Sequence, residues 1–297
     1  MKIKDLCEEL KNHILEYVVF RPKDKKELKE AVDFYYDNTD EGIKKYGRMS
    51  GWDVTKITDM SFLFANKLYN NNKFNENINL WDVRNVTNME HMFFNCWRFN
   101  KPLDKWNVSN VTNMKCMFDG CYDFNQPLEK WDVSNVTNME RMFFNCRRFN
   151  KPLDKWYVSN VTNMEHMFDE CYNFNQPLEK WDVSNVRNME YMFFKCKYFN
   201  QPLEKWDVSN VTNMRCMFYH CWKFNQPLDK WDVSNVESTR KMFDGCPNFN
   251  RETIKNWDTS NVIVTDYDNI TFSMFGDIYL YTDDMPPGYS NPTIYYD

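Results

Sequence analysis

The sequence predicts an α/β solenoid of about nine coils, each built from one short parallel strand and one short helix. Three residue types recur with a fixed step of 25 residues. Tryptophan opens the repeated unit at Trp81, Trp106, Trp131, Trp156, Trp181, Trp206 and Trp231. Cysteine keeps the same step from Cys96 to Cys246, and phenylalanine keeps it from Phe99 to Phe249. An earlier unit begins at Trp52, and a last, degenerate one begins at Trp257.

The strand is predicted over residues 130–133, where Trp131 and Val133 alternate with charged neighbours. A turn follows over residues 134–136. Thr137 and Glu140 have the spacing of a capping box, which begins a helix by satisfying free N–H groups. The apolar face of this expected helix has the spacing i, i+3, i+4 and i+7 and consists of Met139, Met142, Phe143 and Cys146.

One such coil cannot bury its apolar face alone, so we expect the coils to stack about 5 Å apart, as paired parallel strands do. Each repeated residue then lies over its counterpart in the next coil, and the Trp, Met, Phe and Cys columns form the core. A second period of 50 residues lies on top, because alternate units share F-F-N-C or F-D-x-C-Y.

The segments on either side of the repeats are predicted to cap the stack of coils. Residues 1–47 lack the repeat and are predicted to form an N-terminal α-helical cap, with the repeats in residues 48–262 and a C-terminal cap and loose tail in residues 263–297. Asp24 and Glu27 indicate a helix that begins at Asp24 and extends to about Tyr36. Residues 18–20 are expected to form a strand. In the last unit Thr265 and Asn269 stand at the Met and Phe positions, and residues 272–281 are expected to form a closing strand.

The unit F-N-Q-P-L-E-K-W-D-V-S-N-V of residues 174–186 resembles the BspA-type leucine-rich-repeat-like family, and residues 20–32 resemble the lead-in that often precedes those repeats. The resemblance covers about residues 20–262. It implies a right-handed, leucine-rich-repeat-like solenoid with roles in adhesion or protein binding, and no catalytic residues. The family occurs in bacterial surface lipoproteins, parasitic protists and large DNA viruses, and the chain is most similar to viral or intracellular members because it lacks a signal peptide.

Composition excludes several function classes. The formal net charge of −6 argues against a nucleic-acid partner, and only seven glycines leave little room for phosphate-binding loops. No apolar run is long enough for membrane insertion, and no export signal precedes the repeats. We expect an intracellular, cytoplasmic protein, with a virion or host-cell location as the alternative.

The residues that could carry chemistry are expected to have structural roles. The Cys column is expected to be buried and reduced, whereas Cys116 and Cys216 occupy a variable position and are expected to be exposed and more reactive. The histidines are expected at the surface without a catalytic His–carboxylate pair, and no metal or cofactor is expected. Repeated aspartates such as Asp132 are expected to pair with strand lysines such as Lys130. The repeated asparagines such as Asn135 are expected to bond turn backbone in adjacent coils.

The two positions after each repeated cysteine vary between coils. We call these positions the lateral stripe and expect them to be solvated. Aromatic and arginine side chains on a rigid scaffold are typical of binding hot spots. The candidate partner-binding residues are Trp97, Arg98, Tyr122, Arg147, Arg148, Tyr172, Tyr198, Trp222 and Lys223.

These observations predict a non-enzymatic scaffold that binds an unknown protein partner through the lateral stripe. The alternative is a structural or assembly component, for example of a virus particle, that self-associates through its coil ends and has no discrete binding site. A third hypothesis is an adaptor that docks through F-box-like helices in residues 6–18.

Overall fold

The computed structural model describes residues 19–65, 74–263 and 274–275. Helix α1 spans Lys25–Asp37 and α2 spans Thr39–Tyr46, and short 3-10 turns span Met49–Gly51 and Arg251–Ile254. The predicted cap of α1 is confirmed, since the Asp24 carboxylate accepts the Glu27 N–H at 2.9 Å. Helix α2, which the sequence did not reveal, ends at Gly47, whose φ of 73° favours glycine.

Successive 25-residue units lie directly over one another. One isolated parallel bridge joins each pair of neighbouring coils, and the bridges run from Asp59↔Asn88 through Asn138↔Asn163 to Asn213↔Ser238. Apolar side chains from every coil meet in a single continuous core. The described repeats therefore form a stack in which equivalent residues make equivalent contacts.

The predicted strand over residues 130–133 is wrong. These residues lie between two turns, closed by the Trp131 N–H to Leu128 carbonyl bond and the Val136 N–H to Val133 carbonyl bond. The parallel bridge lies instead at Asn138. Trp131 and Val133 are nevertheless buried. The alternation of apolar and polar residues thus predicts correctly which side chains face the core, although it does not predict the hydrogen bonding of the backbone.

The predicted helix over residues 139–146 is also wrong. The N–H groups of Met139, Arg141, Phe143 and Asn145 leave their own coil and bond carbonyls of the next coil at 2.6–3.1 Å. The N–H groups of Met142, Phe144 and Cys146 bond the carbonyl three residues earlier and so close four-residue turns within the coil. Positive φ angles of 55° at Arg141 and 57° at Asn145 turn alternate amides outward, which an α-helix cannot do.

The capping box is absent from the repeat for a related reason. The Asn138 side chain, not Thr137, accepts the Glu140 N–H at 2.9 Å, and the Thr137 hydroxyl donates to the Thr112 carbonyl of the preceding coil. Asparagine commonly makes this local turn, which competes with a helical start. Successive tight turns bring a side chain to the core about every three residues, so they bury the same side chains that a helix would bury.

Buried columns hold the coils in register. The Trp156 and Trp181 rings stack at 6.4 Å, and the Trp156 Nε1–H donates to the Leu128 carbonyl at 3.0 Å. The Cys146 thiol donates to the Phe118 carbonyl at 3.0 Å. From Trp81 and Cys96 onward, these indole N–H and thiol groups donate to carbonyls of the preceding coil. The expected burial of the Cys column is confirmed from Cys96 to Cys221, and Cys246 is half-buried.

Asparagine columns serve the outer turns. The Asn135 amide donates to the Ser109 carbonyl at 2.7 Å, as predicted, and its equivalents repeat that bond along the stack. A second column follows each phenylalanine, where the Asn125 side chain accepts the Asn150 N–H at 3.0 Å. Both columns satisfy turn backbone that has no strand partner.

Both described ends of the stack are covered. Tyr35, Tyr46 and Phe20 pack edge-on around Trp52 at the first coil. Residues 19–20 are not in a strand, although the Phe20 carbonyl accepts the Asp53 N–H at 2.9 Å. Residues 1–18, with the predicted adaptor segment, lie outside the described residues.

Thr265 and Asn269, which are expected at the last Met and Phe positions, lie outside the described residues. Phe275 stacks on Phe243 at 5.6 Å, and the Met274 carbonyl accepts the Phe243 N–H, so Phe275 covers the end of the Phe column. Apart from residues 274–275, the expected closing strand and the tail lie outside the described residues.

Replacing Lys241 tests the positive φ angles. Lys241 is exposed with a φ of 55°, so Lys241→Val should unfold more easily than Lys241→Gly by about 1–2 kcal/mol. The exposed neighbour Arg240 has no positive φ, and there the order should reverse, with valine equal to or better than glycine. Chemical denaturation of the four variants measures this. The same order at both positions would contradict the assigned backbone.

Replacing Thr239 tests the core column that it interrupts. Thr239 stands where other coils carry methionine, and its buried hydroxyl has no hydrogen-bond partner. Thr239→Val should therefore raise the free energy of unfolding by about 1–2 kcal/mol. Thr137→Val, which removes a bonded and exposed hydroxyl, is the matched control and should be neutral or slightly destabilising. A destabilised Thr239→Val protein would show that the hydroxyl has a partner.

Candidate interaction surface

The lateral stripe is held by a turn that begins at each repeated cysteine. The Phe149 N–H bonds the Cys146 carbonyl at 3.0 Å, so residues 147–148 turn away from the core. The Arg148 N–H bonds the Tyr122 carbonyl of the preceding coil at 3.2 Å. The same bond joins the Asp123 N–H to the Trp97 carbonyl and the Lys223 N–H to the Lys197 carbonyl.

Alternating aromatic and cationic side chains fill five consecutive coils. We call this set the aromatic–cation column, and its members are Tyr122, Arg147, Tyr172, Lys197 and Trp222. The Arg147 guanidinium lies 4.9 Å from the Tyr122 ring centre and 5.4 Å from that of Tyr172. The Lys197 ammonium lies 4.6 Å from the Tyr172 ring centre and 4.7 Å from that of Trp222. Each cation is thus placed between two rings.

The other predicted stripe residues flank this column. Arg98 covers the Trp97 ring at 4.3 Å, and Arg148 pairs with Asp123 at 3.1 Å. Tyr198 and Lys223 are exposed. The exposed fractions are 36% for Trp97, 38% for Tyr122, 46% for Trp222 and 54% for Tyr198. Tyr172 and Lys197 are half-buried, so they are less exposed than the other rings and cations of the stripe.

Glu170 supports the column from one side. Its carboxylate accepts the Tyr172 hydroxyl at 3.2 Å and the Lys195 ammonium at 2.8 Å, and it lies 3.7 Å from Arg147. Hydrogen bonding of this kind fixes the ring of Tyr172 in one orientation.

Two buried aspartates, Asp119 and Asp169, lie in turns two coils apart, and the sequence provided no expectation for them. The Asp119 carboxylate accepts from Arg141 Nε at 2.9 Å, and the Asp169 carboxylate lies 2.6 Å from His166 Nδ1. Both aspartates are almost fully buried. The sequence predicts no His–carboxylate pair within hydrogen-bond reach, and this is wrong for His166 and Asp169, which lie three residues apart in one coil.

Burial raises the pKa of Asp119 and of Asp169 from 3.8 to about 6, even though Arg141 and His166 oppose this shift. The negative charge of Glu170 adds to the raised pKa of Asp169. His91, His166 and His220 are all half-buried, so the expectation that the histidines lie at the surface is wrong for these three residues.

The expected exposure and reactivity of Cys116 and Cys216 are also wrong. Both are buried, and burial raises the pKa of the Cys116 thiol to about 12 and that of Cys216 above its ordinary value. Each lies three residues after the repeated asparagine (Asn113 or Asn213), in a turn that directs its side chain inward. Thiols with a raised pKa hold little thiolate and react slowly.

The predicted pairing of strand aspartates with lysines is wrong in its partners. Asp132 and its equivalents instead accept a serine N–H two residues later, as at 3.1 Å from Ser134. Lys205 pairs with Glu179 at 3.0 Å, and Lys230 pairs with Glu204 at 2.7 Å, in both cases with the preceding coil. These exposed pairs contribute little to stability.

Among the described residues, no group of three or more His, Cys, Asp or Glu side chains could hold a metal ion. No helix within the described ranges has the length and apolarity to cross a membrane. A shallow polar depression between Arg187, Thr212 and Glu237 lies on another face of the stack.

These coils define a repeat protein in which each position of the unit forms a column along the stack. The chain belongs to the family described as Mycoplasma protein of unknown function, DUF285, whose model matches residues 32–156, 137–257 and 223–277. The three overlapping matches follow the repeats themselves. No curated protein matches the chain.

Substituting Asn for both buried aspartates tests their titration through pH. A folded-state pKa of about 6 against an ordinary value of 3.8 means that the folded protein binds these protons more tightly. The stability from the two carboxyls is therefore present below about pH 4 and lost as pH rises through about 6. Between about pH 4.5 and 7.5, the wild-type chain should lose stability relative to Asp119→Asn/Asp169→Asn by about 2 kcal/mol per carboxyl.

Urea unfolding at both pH values measures this difference. Asp232→Asn is the control, because the hydrogen bonds from Ser234 lower the pKa of Asp232, which shifts its pH dependence below this window. A wild-type curve that runs parallel to that of the double variant would show that the carboxyls titrate at ordinary values.

Proposed function

We propose that the chain is a non-enzymatic scaffold that binds another protein through its lateral stripe. In this proposal the stack is a right-handed, leucine-rich-repeat-like solenoid of the BspA type. The observation that carries the proposal is the aromatic–cation column, in which half-exposed rings and cations lie in fixed order along five coils.

Pre-ordering makes this surface suited to recognition. Binding normally costs about 0.5–1.5 kcal/mol for each flexible side chain that becomes fixed. Here Tyr172 is held by Glu170 and by two cations before any partner arrives. Tyrosine, tryptophan and arginine are also the residues that most often dominate binding energy.

The buried His166–Asp169 pair supports a structural role rather than catalysis. The His166 ring stacks on Tyr191 at 4.5 Å, and Asp169 is almost fully buried, so both groups are held in place by contacts within the stack. The free cysteines of the described residues support a reducing compartment, as in the intracellular or viral branch of the proposal.

The alternative is an assembly component that self-associates through its coil ends. The described ends offer it little support, because aromatic side chains of the N-terminal segment surround Trp52 and Phe275 covers Phe243. Sedimentation of the full chain separates the two hypotheses, since only the alternative expects polymers.

Removing four rings tests the proposal. The variant Trp97→Ala/Tyr122→Ala/Tyr172→Ala/Trp222→Ala should lose capture of the protein partner from the native source, as measured by affinity purification and mass spectrometry. The free energy of unfolding should fall by no more than about 0.5–1 kcal/mol for each lost cation–π contact.

The matched control is Tyr157→Ala, which removes a ring that is 75% exposed and lies outside the stripe. It should retain the same captured proteins as the wild-type chain. Unaltered capture by the quadruple variant, or an equal loss with Tyr157→Ala, would refute the stripe as the binding surface.

A further inference from the structure

We propose that the polar depression between Arg187, Thr212 and Glu237 binds a small zwitterion. The ligand class is a free amino acid or a short peptide that has an apolar side chain next to its ammonium group. The depression has a volume of about 500 Å³ and ends at Ile263. Small-molecule sites in proteins have volumes in this range. The inference goes beyond the proposed function, because the lateral stripe contributes no residue to this depression.

The depression lies where a column of threonines is interrupted. Threonine occupies this position in most units, and its hydroxyl donates to a carbonyl of the preceding coil at 3.2–3.4 Å in Thr87, Thr112, Thr137, Thr162 and Thr212. Arg187 and Glu237 stand at the same position in the units that begin at Trp181 and Trp231. The hydrogen bonding of the stack therefore favours threonine here, and the two charged side chains need another explanation.

Neither charge is neutralised within the part of the chain that the structure describes. There, Arg187 and Glu237 form no ion pair and no side-chain hydrogen bond. Other exposed charges of these coils pair with the preceding coil, as Lys230 does with Glu204 at 2.7 Å. Arg187 and Glu237 lie two coils apart, with only the short side chain of Thr212 between them in the column. A cation and an anion thus flank an open gap.

The spacing of the coils sets the length of the ligand. The Thr212 N–H bonds the Arg187 carbonyl at 2.9 Å, and the Glu237 N–H bonds the Thr212 carbonyl at 2.8 Å. At about 4.8 Å per coil, the backbones of Arg187 and Glu237 lie about 10 Å apart. Two hydrogen bonds of about 2.9 Å to a ligand take up roughly 6 Å of this distance and leave about 4 Å.

This remaining distance suits a small zwitterion. In a free amino acid the ammonium nitrogen lies about 2.5 Å from the carboxyl carbon, so both charged groups fit between the two side chains. A dipeptide is about 7 Å long and fits when the flexible side chains of Arg187 and Glu237 lean apart. A ligand with one charged group meets only one of the two residues.

Charge and apolar contact orient the ligand. The Arg187 guanidinium can donate two parallel N–H groups to a carboxylate, and Glu237 can accept from an ammonium group. Ile263 follows Glu237 in the next coil, because its N–H bonds the Glu237 carbonyl at 2.8 Å. The Ile263 side chain is 72% exposed. An apolar side chain next to the ammonium group would cover Ile263 and remove its surface from water.

Two asparagines add acceptors along one side of the depression. The Asn210 Nδ2 donates to the Ser184 carbonyl at 2.8 Å, and the Asn235 Nδ2 donates to the Ser209 carbonyl at 2.7 Å. These bonds fix both amides, and neither Oδ1 atom accepts a hydrogen bond from a described residue. Both oxygens can therefore accept from the ammonium group or from a peptide N–H.

The experiment titrates the full chain with L-leucine and with the dipeptide Leu-Ser by isothermal titration calorimetry. At least one of the two should bind with a Kd below about 1 mM, and the tighter one identifies the source of the ligand. For leucine, the analogues leucinamide and isocaproate remove the carboxylate and the ammonium group. For the dipeptide, Leu-Ser amide and N-acetyl-Leu-Ser do the same. Each analogue should bind at least about tenfold more weakly than its parent.

Arg187→Thr and Glu237→Thr test the two charges. Both variants restore the threonine column, so they should keep the stability of the wild-type chain in urea unfolding and bind the ligand at least about tenfold more weakly. Arg84→Ser is the matched control, because it also replaces an exposed arginine by the residue that other coils carry. It lies four coils from Arg187 and should leave the affinity within about twofold of the wild-type value.

Several outcomes would overturn the inference. These are a Kd above about 1 mM for both probes, equal affinity for a probe and its singly charged analogues, or equal loss of affinity in Arg84→Ser. The quadruple alanine variant of the lateral stripe should bind the probe as the wild-type chain does. If neither probe binds while that variant still loses its captured protein, the proposed function stands and the zwitterion site falls.

Discussion

The structure depends on amide groups that bond the next coil rather than their own. In residues 139–145 every second N–H reaches a carbonyl one coil away, which places the whole unit directly over its neighbour. Positive φ angles at two positions per coil make this possible, and thirteen non-glycine residues of the described chain adopt them. Left-handed backbone costs a non-glycine residue roughly 1–2 kcal/mol. The many inter-coil hydrogen bonds and the buried Trp, Phe and Cys columns outweigh that cost.

Stacking of equivalent residues brings like charges of successive coils close together, and the 50-residue period separates some of these charges by one coil. Two like charges about 6 Å apart repel by about 3 kcal/mol at an effective dielectric constant of 20. Identical coils would place such charges in every layer. Tyr172 instead separates Arg147 from Lys197, and Phe144 separates the layers of Asp119 and Asp169. The alternation of F-F-N-C with F-D-x-C-Y thus keeps the buried aspartates and the cations of the aromatic–cation column out of successive layers.

Prediction from the sequence succeeded where it rested on burial. The 25-residue step identified the Trp, Phe and Cys columns, and Asn135 and its equivalents bond adjacent turns as expected. It failed for backbone conformation, because the turns of residues 139–146 bury side chains at the same spacing as a helix would. No local propensity reveals that Arg141 has a positive φ, because its cause is the hydrogen bond to the next coil.

The candidate site shows the same division. The composition of the stripe could be listed from variable positions, but the pairing of Arg147 with rings from the coils on either side required the stack. The buried aspartates had a usable signal, because Asp119 and Asp169 stand where Phe94 and Phe144 stand in alternate coils. An aspartate at a core position needs a partner, and Arg141 and His166 occupy the inward-turned position nearby.

Internal pairing of the lateral stripe has two opposite effects on the proposed binding of a partner. Cations that already cover rings reduce the apolar area that a partner can gain, which disfavours a large hydrophobic interface. The same contacts remove most of the ordering cost, which favours a narrow partner that adds charge pairing and a few ring contacts. An extended segment fits this balance better than a globular domain, because it contacts one column of side chains and leaves the remaining faces of the stack in water.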